Sequence, residues 1–206
     1  MTHADFRIGI DLDNTLINYD RLFFEIAIRR SLITNGFRGT KRDIRDAVRL
    51  LPDGEIEWQR LQAEVYGPAI AGASAAEGAL DFILRARARG AQLMIVSHKT
   101  ALSNLGTSKV NLRDAARTWL RASGMLGPDA VQEANVYFED TRAEKIARII
   151  DLGCTHFIDD LEEVFDDPAF PGSVERLLLT SDPRVTGRGY RTYGSFDAIC
   201  DALIAN

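Results

Sequence analysis

The sequence predicts an α/β fold, a doubly wound parallel sheet with a small helical segment inserted after the first strand. Three observations predict it. Short apolar runs alternate with helix-length amphipathic segments, the pattern of βαβ units. One stretch, from about Tyr19 to Tyr66, keeps helical periodicity and shows no strand-like alternation. Two apolar runs, Ile8-Gly9-Ile10 and Phe157-Ile158, end abruptly in acids, and reactive groups of open α/β sheets gather at the carboxyl ends of strands.

Taken in order, Ile8-Gly9-Ile10 reads as a buried strand leading into Asp11-Leu12-Asp13-Asn14-Thr15. In the insert, Leu22, Phe23, Ile26, Ala27 and Arg30 form one helical stripe, and Ile44, Val48 and Leu51 form another. Gly36 and Gly39 separate these two helices. Pro52-Asp53-Gly54 opens a third, Glu55–Tyr66. Gly67-Pro68 and Ala71–Ala76 form the return linker. Leu80, Ile83 and Leu84 then mark a helix closed by Gly90. Gln92–Val96 is a second buried strand, ending in Ser97-His98-Lys99-Thr100. A helix around Asn111–Ser123 stops at Gly124, and Asn135–Phe138 is a third strand. Thr141 and Glu144 form a capping box for a helix running to about Leu152. Thr155–Ile158 is a strand ending in Asp159-Asp160, followed by a short helix. The strand Arg176–Thr180, a polar loop (Ser181–Gly189) and a helix, Ser195–Ala205, complete the chain. The organisation expected is an α/β core of residues 1–17 and 72–206 with a helical insert of residues 18–71.

At 206 residues, 46% hydrophobic and 27% charged, the chain can bury one sizeable core with a small accessory module. A net charge of −5 and a pI near 5.3 argue against a general binder of nucleic acid or anionic membranes. Cys154 and Cys200 have no metal-ligand spacing and read as buried thiols. No signal peptide is read in Met1-Thr2-His3-Ala4-Asp5, and no apolar run approaches the ~20 residues of a membrane span. A cytoplasmic protein is expected.

Asp11 and Asp13, one residue apart at a strand tip, would repel and lose hydration unless a cation or proton sat between them. Hard oxygen ligands at that tip suit Mg²⁺. Asp11 is the candidate nucleophile, a carboxylate able to attack phosphorus and split hydrolysis into two steps. Asp13 is the candidate general acid–base, and Thr15 offers a hydroxyl to substrate. The structural alternative is a strand end closed by Asx-turns. Ser97, at the end of the second strand, can hold a phosphoryl oxygen. His98 and Lys99 read either as substrate contacts or as solvated loop side chains. Lys145 lies in the first turn of its helix, where the dipole disfavours a cation, so it needs a carboxylate or phosphate beside it. A surface pairing with Asp140 or Glu144 is the alternative, and Lys99 and Lys109 are the other candidates for its role. Asp159 would coordinate Mg²⁺, with Asp160 or Glu163 supporting it. An acidic helix N-terminus would also explain these residues.

Asp11-Leu12-Asp13-Asn14-Thr15 resembles the D-x-D-x-[TV] opening motif of the haloacid dehalogenase (HAD) superfamily, mostly Mg²⁺-dependent phosphatases. Ser97, Lys145 and Asp159-Asp160-Leu161-Glu162-Glu163 are similar to its later motifs, with Glu163 where the family commonly has Asp. The resemblance implies a Rossmann-like core and a helical cap of the first type. It implies that Asp11 and Asp13 act as nucleophile and acid–base, with the Asp13 carbonyl ligating Mg²⁺, and that Lys145 neutralises the nucleophile and the phosphoryl group. Dehalogenases of the superfamily have no need of the second acid, because halide leaves unprotonated. Asp13 therefore favours phosphoryl transfer. Lys41, the insert's only lysine, sits at a turn unsuited to Schiff-base chemistry.

The expected activity is Mg²⁺-dependent hydrolysis of a small phosphorylated metabolite. The alternatives are a phosphometabolite-binding or regulatory protein, or a mutase-type phosphotransferase. Arg42, Arg45 and Arg49 line one helical face, either solvated or binding an anionic substrate group, with Tyr19, Trp58 and Tyr66 available for stacking. An apolar insert helix such as Leu22–Ile33 could pack against another subunit in a homo-oligomer.

Overall fold

The computed structural model describes residues 6–102, 110–182, 185 and 189–204. The chain begins with β1 (Arg7–Ile10) and β2 (Ile17–Asn18), then α1 (Asp20–Arg29), α2 (Lys41–Arg49) and α3 (Gly54–Tyr66). It continues through β3 (Ser74–Ala75), α4 (Ala79–Ala88), β4 (Gln92–His98), α5 (Leu112–Ala122) and β5 (Val136–Glu139). Next come α6 (Arg142–Asp151), β6 (His156–Asp159), α7 (Glu162–Phe165), β7 (Glu175–Leu179), β8 (Arg191–Tyr193) and α8 (Phe196–Leu203).

Six strands form a wholly parallel sheet in the order β5-β4-β1-β6-β7-β8, while β2 and β3 pair separately. Chain direction across the sheet reverses at β1. Right-handed crossovers then place α4 on one face and α6 and α7 on the other. The second face carries Met94 and Val96 of β4 against Ile146 and Ile149 of α6, with Phe157 and Phe165 completing a buried cluster. On the first, α4 meets α8 through Phe82 and Phe196, ring centroids 5.5 Å apart. The central strands β1, β4 and β6 are buried on both sides, as a covered parallel sheet requires.

Two compact units divide the described residues. One lies within Met1–Ile17, Ala75–Lys99 and Leu120–Asn206, and contains the six-stranded sheet. The other lies within Asn18–Ser74 and Thr100–Trp119. Residues 100–102 and 110–119, expected from the sequence to belong to the core, thus join the insert's unit, where Trp119 Nε1 donates to the Ala73 carbonyl at 3.1 Å. Within this unit Phe23 stacks on Trp58 at 5.4 Å and Tyr19 meets Tyr66 edge-on at 4.9 Å. Tyr19 and Trp58 are buried, so these two rings belong to the unit's own core instead of being available for stacking. Lys41 starts α2, donates to the Tyr66 hydroxyl at 2.9 Å and lies over the Phe23 ring.

Several expectations need correction. The buried face of α4 is Ala79, Phe82, Ile83 and Ala86; Leu84 is exposed, because the helix turns its aromatic ring to the core. Leu51 is likewise exposed. The edge strand β8 falls inside a stretch read as loop and helix approach, since Arg191-Thr192-Tyr193 is too short and polar to announce itself. Lys109 and Ala205, and residues 183–184 and 186–188 of the loop Ser181–Gly189, lie outside the described residues.

Gly9 sits opposite Phe157 in the β1–β6 ladder. A methyl group there would lie 2.5 Å from Phe157 Cδ2 and 3.1 Å from Cys154 Sγ. Overpacking a filled core costs about 1–3 kcal/mol. Gly9→Ala is therefore expected to lose stability of that order in urea unfolding at unchanged m-value, with part regained in Gly9→Ala/Phe157→Leu.

Candidate active site

Asp11 extends β1, its N–H donating to the Ile158 carbonyl at 2.9 Å. That bond carries the β1–β6 ladder one residue further and brings Asp11 beside Asp159, the last residue of β6. The two acids meet because two adjacent parallel strands end at the same level. After Asp11 the chain turns sharply. The Leu12 carbonyl accepts from the N–H groups of Leu16 and Ile17, both at 3.0 Å, and Asn14 adopts a left-handed conformation at φ 62°. Asparagine tolerates that region better than most residues. Leu12 and Leu16 plug into the core while Thr15, also buried, points its Oγ1 at Asp160 Oδ1, 3.4 Å away.

Lys145 comes from α6, whose N-terminus is fixed by the expected capping box. Thr141 Oγ1 accepts from the Glu144 N–H, and the Glu144 carboxylate accepts from the Thr141 and Asp140 N–H groups. Glu144 is thereby committed to the cap. The Lys145 ammonium turns inward and donates to Asp11 Oδ1 at 2.6 Å and Asp159 Oδ2 at 2.7 Å. Only 2% of Lys145 is exposed, 5% of Asp11 and none of Asp159. The Phe157 ring lies 5.3 Å from the ammonium, a cation–π support. Asp159 Oδ1 accepts from the Leu161 N–H at 3.0 Å, which locks the carboxylate.

Carboxylate oxygens of Asp11, Asp159 and Asp160 lie within 4.8 Å of one another, a group that could hold a metal ion. Burial, opposed by Lys145 and reinforced by Asp159 and Asp160, pushes the Asp11 carboxyl up to about 8. Burial works against the charge of Lys145 too, but Asp11 and Asp159 outweigh it and hold the ammonium above its ordinary range. A dense acidic cluster with one interior cation remains short of positive charge. A divalent ion would supply it.

Asp13 stands apart from that group. Both its oxygens accept from the ammonium of Lys99, at 2.9 and 2.7 Å. Lys99 is 4% exposed, so the solvated-loop account of this residue does not hold. Its burial follows from strand alternation: Ser97 and Lys99 share one buried side of the chain, while His98 and Thr100 are exposed on the other. His98 Nε2 contacts the Asp140 carbonyl at 2.9 Å. Ser97 is buried in the last turn-ward residues of β4. Glu163 is exposed, and Arg142 donates to both its carboxylate and its carbonyl. Thus Asp160 joins Asp11 and Asp159, and Glu163 does not. Among the insert's arginines, Arg49 pairs with Glu55, Arg45 with Asp46, and Arg30 with Glu57, so much of the basic character is neutralised locally. The Lys99–Asp13 pair is the site feature that motif reading missed; the alternation Ser97/Lys99 is the signal that points to it.

No protein-family model matches the chain, and no curated protein matches it. Solved structures do. A putative HAD-hydrolase from Bacillus subtilis bound to magnesium is 12% identical, with 96% of this chain and 98% of that one covered and a TM-score of 0.59. A HAD family hydrolase from Deinococcus radiodurans with bound phosphate and sodium is 17% identical, covering 97% and 96%, with a TM-score of 0.52. A dehalogenase solved with an intermediate complex is 13% identical over 97% of each chain, at a TM-score of 0.59. At such identities the likeness speaks for architecture alone: the chain has the α/β fold of the HAD-superfamily hydrolases.

Proposed function

We propose that the protein is a Mg²⁺-dependent phosphomonoester hydrolase that acts on a small phosphorylated metabolite through an aspartyl-phosphate. The observation that carries this reading is the Lys145 ammonium held between Asp11 and Asp159, with Asp160 beside them. With Asp11, Asp159 and Asp160 ionised, the one ammonium of Lys145 leaves their group at −2. One divalent cation balances that. Asp11, Asp159 and Asp160 would hold Mg²⁺, which when bound supplies positive charge to the phosphoryl oxygens and favours the ionised Asp11.

The side chains divide the chemistry. Lys145 occupies Oδ1 of Asp11 and leaves Oδ2 to form the bond to phosphorus as the ester P–O bond breaks. Asp13, as the acid, gives its proton to the departing alkoxide. Water then attacks phosphorus, Asp13 takes its proton, and the P–O bond to Asp11 breaks to release phosphate. Ser97 and Lys145 offer donors to the phosphoryl oxygens throughout. Dehalogenases also share the fold, but carbon–halogen cleavage has no use for a proton donor such as Asp13.

The test is phosphate release from p-nitrophenyl phosphate and a panel of sugar and other metabolite phosphates, with Mg²⁺ or with EDTA. Release is expected only with Mg²⁺, and Asp11→Asn is expected to lower it by about 10³-fold or more. Halide release from 2-chloropropionate without any phosphate release would overturn the reading, as would inactivity on every ester.

Metal binding should also move a proton. Burial pushes the Asp11 carboxyl up to about 8, so Mg²⁺ is expected to displace a proton from it on binding near pH 7. About one proton is expected to leave per Mg²⁺ bound at pH 7, with affinity weakening as pH falls below 8. Calorimetry in buffers of different ionisation enthalpy reads this directly; heats independent of buffer would contradict it.

A further inference from the structure

A second buried ammonium, that of Lys99, stands beside Asp13. Lys99 lies immediately beyond β4, and its N–H donates to the Glu139 carbonyl at 2.9 Å, which extends the β4–β5 ladder and fixes its backbone. Its side chain reaches Asp13, 86 residues away in sequence, and its ammonium contacts both carboxylate oxygens. The Lys99 side chain is 4% exposed against 22% for Asp13, so the cation is the deeper member and the acid faces outward from it. Burying an ammonium is costly unless it is paired, and one whose attachment is fixed by a sheet ladder has little freedom to follow a moving partner.

We propose that Lys99 is a positioning residue that sets the direction in which Asp13 presents its proton to the leaving oxygen. The proposal deepens the phosphatase reading and rests on it. A carboxyl group on a short side chain rotates about its terminal bond, and each rotation moves the proton off the line to the leaving group. An ammonium within reach of both oxygens removes that freedom: while one oxygen carries and delivers the proton, the ammonium keeps the other. The transfer itself is unchanged. The ester P–O bond breaks, the proton passes from Asp13 to the alkoxide, and Lys99 keeps its own protons. A general acid must be aligned as well as protonated, because proton transfer depends steeply on geometry.

Leaving groups separate this role from a merely structural one. p-Nitrophenolate departs without protonation, whereas the alkoxide of glycerol phosphate requires it. In Lys99→Met, kcat/KM for glycerol phosphate is expected to fall at least about tenfold further than kcat/KM for p-nitrophenyl phosphate, within the range that general acids contribute. Lys99→Arg is expected to restore most of the difference. In an Asp13→Asn background, Lys99→Met should add little further loss on glycerol phosphate, since the group it orients is gone. Lys99→Gln, shorter and uncharged but still a donor, is measured alongside in case the methionine variant does not fold, and the same selective loss is expected. Equal loss on both esters, or full additivity with Asp13→Asn, overturns the proposal while leaving the hydrolase reading intact. A wild-type protein inactive on both esters with Mg²⁺ removes the hydrolase reading and this proposal with it.

Discussion

A protonated amine in the interior, wedged between two interior carboxylates, is the constraint on which this structure turns. Lys145, Asp11 and Asp159 are each withdrawn from water, and none could stay charged there alone. Loss of one partner from such a group costs about 3–5 kcal/mol, yet apolar residues of the same shape often stabilise a protein more. Stability is therefore a poor account of why the three coexist. A reaction that needs a carboxylate and a cation preset in a dry pocket is a better one.

The fold meets this constraint with backbone rather than with flexible side chains. Asp11 and Asp159 stand opposite each other at the end of the β1–β6 ladder, and Lys145 is delivered by a helix whose start is pinned by Thr141 and Glu144. Gly9 adds a subtler contribution. Having no side chain, it admits the Phe157 ring, and that ring lies against the ammonium of Lys145. The second cation follows the same logic on the other side of β1, where Lys99 is fixed by the ladder to β5. Three of the four acids are thus shared out between two ammoniums, each attached to a rigid element.

Much of this was legible in the sequence, for physical reasons. Apolar runs that stop at acids or at a hydroxyl declare strand ends, and so β1, β4 and β6 were readable together with Asp11, Ser97 and Asp159. The capping box declared the helix that carries Lys145. Other features depend on tertiary context. The short polar strand β8 gains its identity only from pairing with β7. Whether Asp160 or Glu163 joins the acidic group depends on how the chain turns after β6, which leaves Glu163 exposed beside Arg142. Lys99 next to His98 looks like ordinary loop polarity until the alternation of β4 is carried three residues past its apolar run. Likewise Tyr19 and Trp58 read as free aromatic surface, because nothing local reveals that α1 and α3 close over them.

The pairing of β1 with β6 also bears on how the molecule comes into being. Arg7 and Thr155 exchange hydrogen bonds across 148 positions of chain, so the ladder that ends at Asp11 closes a loop that spans most of the protein. Closing so long a loop is entropically expensive and is favoured late, after helices and nearer strands have formed. The acidic centre has no local precursor: a nascent or partly unfolded chain holds Asp11 far from Asp159 and Asp160, and the capacity to gather a cation comes with the pairing of β1 and β6.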